Sequence, residues 1–328
     1  MARVLVTGAA GFMGRALVAR LLADGRSVRV LERRPSDAFE GLAVERVTGD
    51  VTKPETLPAA CAGAETVFNL AGVLSYDAKD EARLQAVNVD GLTSLLAAAR
   101  EAGSGRVVQV SSVAAVGYAE DPAHPQHEDS PFPEGAWRNR YSRTKRLGEE
   151  VVLRAVAEGQ DVVMVCPGFL LGAGDVNRIN TFVVEEYLRG FLRTTVAGGI
   201  SSVDVRDVAE GLLAAERLGV SGRRYILTSE DGNLSHREFF ALAGEVDGKR
   251  RRTVQLPAAL LSGGARIGRA LRLPVPLSPE EIEAASHWWY FTPARAMDEL
   301  GFRPRPVREA MEATVSYLRD RGLKARPR

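Results

Sequence analysis

Through the first half of the chain, short β-branched runs alternate with longer amphipathic stretches. Val4 to Thr7 is followed by Phe12 to Ala23, then come Val28 to Leu31, Val44 to Thr48, Thr66 to Leu70, Glu81 to Ala102 and Val107 to Ser111. Runs that are apolar on both faces and separated by helical stretches predict strands of a parallel sheet covered on both sides by helices. A further helix is expected over about Asn139 to Glu158, and the next strand at Val162 to Val165. After Pro167-Gly168 the rhythm breaks at Gly172, Gly174, Gly190, Gly198 and Gly199. Ser201 to Val205, Asp207 to Leu218 and Arg224 to Leu227 again read as strand, helix and strand returning to the sheet. The expected organisation is therefore a sheet domain from residues 1–167 plus about 200–228, interleaved with a smaller lobe from 168–199 plus 229–318. Pro257, Pro274, Pro276 and Pro279 punctuate that lobe, and residues 319–328, with Lys324 to Arg328 frayed, are expected to form a tail.

Thr7-Gly8-Ala9-Ala10-Gly11-Phe12-Met13-Gly14 falls between the first strand and the first helix. A glycine turn there lets backbone N–H groups at a helix N-terminus approach a pyrophosphate. Its spacing is one residue longer in the turn than G-x-G-x-x-G. Glu32 ends the second strand, where a carboxylate accepts hydrogen bonds from adenosine ribose hydroxyls, which favours NAD. Arg33 and Arg34 follow, and an arginine there clamps a 2′-phosphate, which favours NADP. Asp50, with Val51 beside it, is placed for the adenine, and Leu70-Ala71-Gly72 would let backbone pass beneath the cofactor.

Tyr141 and Lys145 are four residues apart, hence one turn apart on one helix face. Hydride reduction of a carbonyl leaves an alkoxide that needs a proton, and an unperturbed tyrosine with a pKa of about 10 is a slow partner at neutral pH. A neighbouring ammonium lowers that pKa, so Lys145 is expected to do so and to hold the nicotinamide ribose. Ser112 would orient the substrate oxygen. Asn88 is expected to bond backbone or water behind the site, or to lie on a helix surface.

The charge balance narrows the partners. Lys+Arg 43 against Asp+Glu 42 leaves a net charge of +1, so no global field draws nucleic acid or an anionic bilayer. No uncharged run approaches the roughly 20 residues of a membrane-spanning helix, and Met1-Ala2-Arg3 runs straight into the first strand, so membrane insertion and a signal peptide are not expected and a cytoplasmic location is. Cys61 and Cys166 stand alone and read as core residues. Lys249-Arg250-Arg251-Arg252 reads as solvated surface. His124 and His127 lack partners with metal-ligand spacing, so no metal site is expected, and they read as a loop lining the substrate mouth. Trp288 to Phe291 reads as packing in the smaller lobe.

Together these residues resemble the extended branch of the short-chain dehydrogenase/reductase superfamily, which includes the NAD-dependent epimerases/dehydratases. Thr7 to Gly14, Gly49-Asp50-Val51, Ser111-Ser112 with Gly117, Tyr141 with Lys145, Pro167-Gly168, Val203 to Ala209, and Ala296 to Phe302 with Pro304 all match in type and order. Gly198 to Ala209 and Arg223 to Leu227 look most like dihydroflavonol-4-reductase-like and hopanoid-associated epimerase-like members. The resemblance implies a Rossmann-type doubly wound sheet binding NAD or NADP, a C-terminal substrate lobe, and a Ser112/Tyr141/Lys145 triad. Homodimerisation through sheet-domain helices is common among such relatives. The activity expected is an NAD(P)-dependent oxidoreductase interconverting a ketone or aldehyde and its alcohol. One alternative is a nucleotide-sugar epimerase or dehydratase, whose diphosphate substrate would need Arg178, Arg189 or Arg193; the other is a silent NAD(P)-binding sensor or scaffold, for which an intact triad is superfluous. Departures from the branch are Asn69 to Gly72, Cys166 before Pro167, and Glu32.

Overall fold

The computed structural model describes residues 3–271, 275 and 277–323. Six strands and five helices come first in chain order: β1 (Arg3–Thr7), α1 (Phe12–Ala23), β2 (Ser27–Glu32), β3 (Val44–Thr48), α2 (Leu57–Cys61), β4 (Thr66–Asn69), α3 (Glu81–Gln85), α4 (Gly91–Glu101), β5 (Arg106–Val110), α5 (Arg140–Ala157) and β6 (Val162–Pro167). Helices α3 and α4 are joined through a π turn, Ala86–Asp90, so the single helix expected over Glu81 to Ala102 is continuous but locally underwound. Next come β7 (Phe169–Leu171), α6 (Phe182–Arg189), β8 (Thr194–Thr195), β9 (Gly199–Asp204), α7 (Val205–Leu218), β10 (Arg224–Leu227), β11 (Asn233–Ser235) and α8 (His236–Val246). The chain ends with β12 (Val254–Gln255), α9 (Ala258–Ala270), α10 (Pro279–Ala285), β13 (Trp288–Trp289), α11 (Ala294–Leu300) and α12 (Val307–Asp320).

The main sheet has seven parallel strands in the order β10-β6-β5-β4-β1-β2-β3. Its order reverses direction between β1 and β4, and such a switch point opens a crevice at the strands' carboxyl ends. Side chains alternate across each strand. Val4 and Val6 of β1 therefore enter the layer shared with Leu17, Leu21 and Leu212 from α1 and α7, while Leu5 enters the layer with Leu95 and Val152 from α4 and α5. Both layers are apolar, which accounts for the unbroken apolar run Val4-Leu5-Val6 of β1. A third core, with Tyr187, Phe239, Phe240 and Met311, holds the smaller lobe.

Two expectations are corrected here. The strand at Ser201 to Val205 does not return to the main sheet: β9 pairs with β7, β11 and β13 in a separate small sheet, while α7 packs on α1 and β10 joins the main edge. Strand β9 is too short for its alternation to say which sheet it completes. Nor does a tail begin at residue 319, because α12 runs to Asp320 and buries Leu318; residues 324–328, Pro274 and Pro276 lie outside the described residues.

Candidate active site

The glycine turn closes tightly over the end of β4. Gly8 has φ +64°, and a Cβ there would lie 2.6 Å from the Leu70 carbonyl carbon and oxygen. A Cβ on Gly14 would lie 2.4 Å from the Gly8 oxygen. Only glycine lets turn, helix and neighbouring strand approach this closely. Helix α1 then starts at Gly11 with no side-chain cap, so its first N–H groups remain for an incoming anion.

At the end of β2, Glu32 is buried. Arg46 Nε donates to its Oε2 at 2.7 Å, and its Oε1 is buried with no partner among the described residues. An unpartnered carboxylate oxygen is costly unless a ligand hydroxyl supplies the hydrogen bond. The cradle and the orphaned acceptor therefore fit a dinucleotide. Arg33 and Arg34 are exposed.

Other expected contacts are used internally. The Thr7 hydroxyl donates to Asn69 Oδ1 and accepts the Ala71 N–H at 3.1 Å, fastening β1 to β4. Asp50 Oδ1 accepts from the Thr52 N–H and hydroxyl, both at 2.9 Å, and so caps its own turn. Val51 is in the core beside α4. Asn88 is buried in the π turn, where its Oδ1 accepts the Val73 N–H at 2.9 Å and its Nδ2 donates to Val73 O at 3.0 Å and Thr144 Oγ1 at 3.2 Å. It holds the segment that follows Gly72 against α5.

Gly8, Gly11, Phe12, Met13, Gly14, Leu70, Gly72 and Pro167 share one cavity of about 750 Å³ with Ser112, Tyr141 and Lys145. Asn139 starts α5 by accepting the Ser142 N–H at 3.1 Å, which fixes Tyr141 in the first turn and Lys145 one turn on. Lys145 Nζ donates to Val110 O at 3.2 Å and lies 6.0 Å from the Tyr141 ring centre. Ser112 Oγ accepts the Ala114 N–H at 3.1 Å, leaving its own proton to donate. The Tyr76 ring meets Tyr141 edge-on at 6.3 Å.

The net shift of the Tyr141 pKa is up, not down as expected. Burial raises Tyr141 above its ordinary value, against the pull of the nearby Ser112 hydroxyl. Burial also lowers Lys145 from 10.5 to about 8. Between those two values the unfolded chain binds a proton that the native state does not, so this group makes the fold gain stability as pH rises from about 8 to 10.5. Below about pH 8 the cost of the buried ammonium is complete. Lys145→Met is therefore expected to be more stable than the parent at pH 7, with an advantage that narrows across that window in denaturant titrations. A pH-independent difference would mean that the ammonium carries no burial cost.

The rest of the cavity is mainly apolar, with Phe169, Ile200, Phe239, Leu261 and Trp289 in its walls beside the polar Asn180, Thr194, Thr195, His236 and Glu281. Lys145 is the only lysine or arginine among the described residues lining it. The arginines weighed for a diphosphate are engaged elsewhere: Arg178 and Arg189 with Glu185 at 2.6 and 2.5 Å, and Arg193 with Gly190 O at 2.6 Å. His124 and His127 are also absent from the cavity wall; His124 is an exposed partner of Asp121 at 2.7 Å. Trp289 packs and also reaches the cavity, its Nε1 donating to Ala284 O at 2.7 Å. Sequence reasoning missed Tyr76 and His236. Burial lowers the His236 pKa, and since Ala285 O at 2.7 Å requires a donor, Nε2 carries the proton and Nδ1 is left as an acceptor.

Residues 4–227 match the NAD dependent epimerase/dehydratase family. Sterol demethylase protein B of Methylococcus capsulatus is 33% identical, with 97% of this chain and 99% of that protein covered. The 3 beta-hydroxysteroid dehydrogenase/Delta 5-->4-isomerase of Mycobacterium tuberculosis is 30% identical, with 93% and 86% covered. The crystal structure of gox2253 superposes with a TM-score of 0.86 at 29% identity, covering 99% of this chain and 100% of that one. No described helix is long and apolar enough to cross a membrane. With its glycine cradle, switch-point crevice and parallel sheet, the chain belongs to the NAD dependent epimerase/dehydratase family, a branch of the extended short-chain dehydrogenases/reductases, and is an NAD(P)-dependent oxidoreductase.

Proposed function

We propose that this enzyme interconverts a ketone or aldehyde and its alcohol on a large apolar molecule, with NAD(H) as the preferred partner. The observation that carries the reading is the cavity: apolar walls lead to the Ser112 and Tyr141 hydroxyls, with no cation besides Lys145 among the described lining residues. A nucleotide-sugar diphosphate brought there would lose its hydration and find no guanidinium in exchange. Two relatives carry sterol and hydroxysteroid names, which supports a substrate of that size and polarity.

The first-turn N–H groups of α1 would hold the pyrophosphate and Glu32 Oε1 the adenosine ribose. When bound, the nicotinamide donates or accepts the hydride. Ser112 Oγ donates to the substrate oxygen and fixes its direction. Tyr141 Oη gives that oxygen a proton in reduction and takes it back in oxidation. Lys145, held by Val110 O, keeps a positive charge beside the phenol at neutral pH and steadies it as the proton moves. The apolar walls exclude water from the reacting carbon.

A panel of hydrophobic ketones and nucleotide sugars with NADH and NADPH tests the proposal. kcat/KM is expected to rise with the apolar bulk of the ketone, NADH to be preferred, and nucleotide sugars to give no product. Glu32→Ser should shift the ratio of dinucleotide dissociation constants, read by fluorescence, toward NADPH by about tenfold, the worth of one lost charge-assisted hydrogen bond. Turnover of a nucleotide sugar with no ketone reduced would overturn the proposal.

A further inference from the structure

The most exposed large apolar side chains among the described residues cluster in the smaller lobe. They are Phe191, Leu271, Ile267, Leu260 and Ile179, from 71% down to 57% exposed. Two of them, Leu260 and Ile179, also line the substrate cavity. Leu260, Gly264, Ile267 and Leu271 recur at spacings of four, three and four, so they form one stripe along α9. Ala265 and Gly268 on the same helix are buried, and Leu261 and Ala265 face the cavity. Helix α9 thus roofs the cavity through Leu260, Leu261, Gly264 and Ala265 and turns Ile267 and Leu271, beside the exposed Arg266 and Arg269, to water.

The stretch of chain that carries this stripe is one-sided in charge, while α10, packed against α9, brings Glu280, Glu281 and Glu283. From Lys249 to Leu271 the chain has Lys249, Arg250, Arg251, Arg252, Arg266 and Arg269 and not one acidic residue, in a protein whose net charge is +1. Arg250 and Arg251 pair with Glu245 and Asp247, and Arg269 lies 3.5 Å from Glu280 and 3.7 Å from Asp77. Lys249, Arg252 and Arg266 are exposed and have no ion pair among the described residues. The basic run leads directly into β12, which pairs with β8, and β8 and α9 border the same cavity. The apolar stripe, Arg266 and the cavity roof therefore share one helix, and the run carrying Lys249 and Arg252 is joined to the cavity wall through β12 and β8.

We infer that this surface docks on an anionic lipid bilayer. Helix α9 lies in the interface with Ile267 and Leu271 at the acyl boundary, and Lys249, Arg252 and Arg266 lie against headgroup phosphates. A second copy of the chain is a poorer occupant, because two such cationic faces repel, whereas a phosphate surface complements them. Resting on the apolar-substrate reading, docking would let a lipid-dissolved substrate pass beneath α9 without crossing water.

Flotation of the full chain with phosphatidylcholine vesicles, with and without about a third phosphatidylglycerol, tests this at low and high salt. Binding is expected to be at least about tenfold stronger to the anionic vesicles at low salt and to fade at high salt. Ile267→Ser with Leu271→Ser, and separately Arg252→Ser with Arg266→Ser, should each weaken it by about tenfold or more. None of these four residues lines the cavity, so turnover of a short ketone in solution should stay as in the parent. No binding to either vesicle would overturn the inference, as would binding indifferent to both variants. A dimer in ultracentrifugation that the Ile267/Leu271 variant dissociates, with no vesicle binding, would overturn it in favour of a second copy. The vesicles contain no carbonyl lipid, so adsorption is read without turnover, and its failure leaves the ketone assay standing.

Discussion

Tyr141→Phe is expected to lower kcat about 10³-fold while leaving NADH affinity nearly unchanged, the range for losing a positioned general acid. The substitution removes one oxygen from a ring that keeps its packing against Tyr76, so a fold defect does not explain the loss. Ser112 cannot take over, because its oxygen already accepts the Ala114 N–H and its alcohol proton is far less acidic than a phenol's. Burial holds Tyr141 above its ordinary pKa in the protein without cofactor, so the phenol is protonated at neutral pH and ready to act as an acid. Reduction should therefore run well near pH 7, whereas oxidation, which needs the phenolate, should climb as pH rises. Stopped-flow turnover and NADH fluorescence titration of parent and variant check both halves of the expectation. A variant that keeps more than about a tenth of the parent kcat would remove Tyr141 from the mechanism.

What the sequence disclosed and what it hid divide along a physical line. Contacts within a turn or two of chain were legible: the glycines between β1 and α1, the one-turn spacing of Tyr141 and Lys145, and the dry alternation of Val4, Leu5 and Val6. Contacts set by long-range packing were not. Strand β9 carries an ordinary strand pattern, and only its neighbours β7, β11 and β13 place it outside the main sheet. Arg178, Arg189 and Arg193 looked available for a phosphate until Glu185 and Gly190 O, supplied by the fold, occupied them. The direction of the Tyr141 and Lys145 pKa shifts was hidden for the same reason. Spacing sets their proximity, but burial, which no motif encodes, decides the sign. The basic run at Lys249 to Arg252 shows the limit most clearly, since its meaning depends on an apolar helix stripe that begins eight residues after Arg252 and a cavity lined from several segments of the chain.

Glu149→Leu is expected to destabilise the fold by about 3–5 kcal/mol, the cost of leaving a buried partner charge uncompensated. Glu149 follows Lys145 by one turn on α5, on the same face as Tyr141, and it is buried. Its Oε1 accepts from the Ser111 hydroxyl at 2.7 Å and faces the Cys166 thiol at 3.4 Å, while its Oε2 accepts from Arg224 Nη1 at 2.8 Å. Arg224, on the edge strand β10, also donates through Nε to Glu128 O at 2.6 Å. The pair thereby ties α5, the end of β5, the loop before α5 and the last strand of the sheet to one another. Removing the carboxylate strands a guanidinium that is only 12% exposed. Removing both charges, as Glu149→Leu with Arg224→Met, eliminates that penalty and should recover most of the lost stability, because well-packed apolar replacements of buried ion pairs are often neutral. The catalytic end should register the single change as well. Glu149 raises the pKa of Lys145 against the lowering by burial, so without it the lysine should lose its proton below its present value of about 8, and kcat for reduction should fall at alkaline pH sooner than in the parent. Denaturant titrations of the parent, the two single variants and the double variant give the coupling energy directly. Single variants within about 1 kcal/mol of the parent would show that water reaches the pair and that it does not clamp the helix carrying Tyr141.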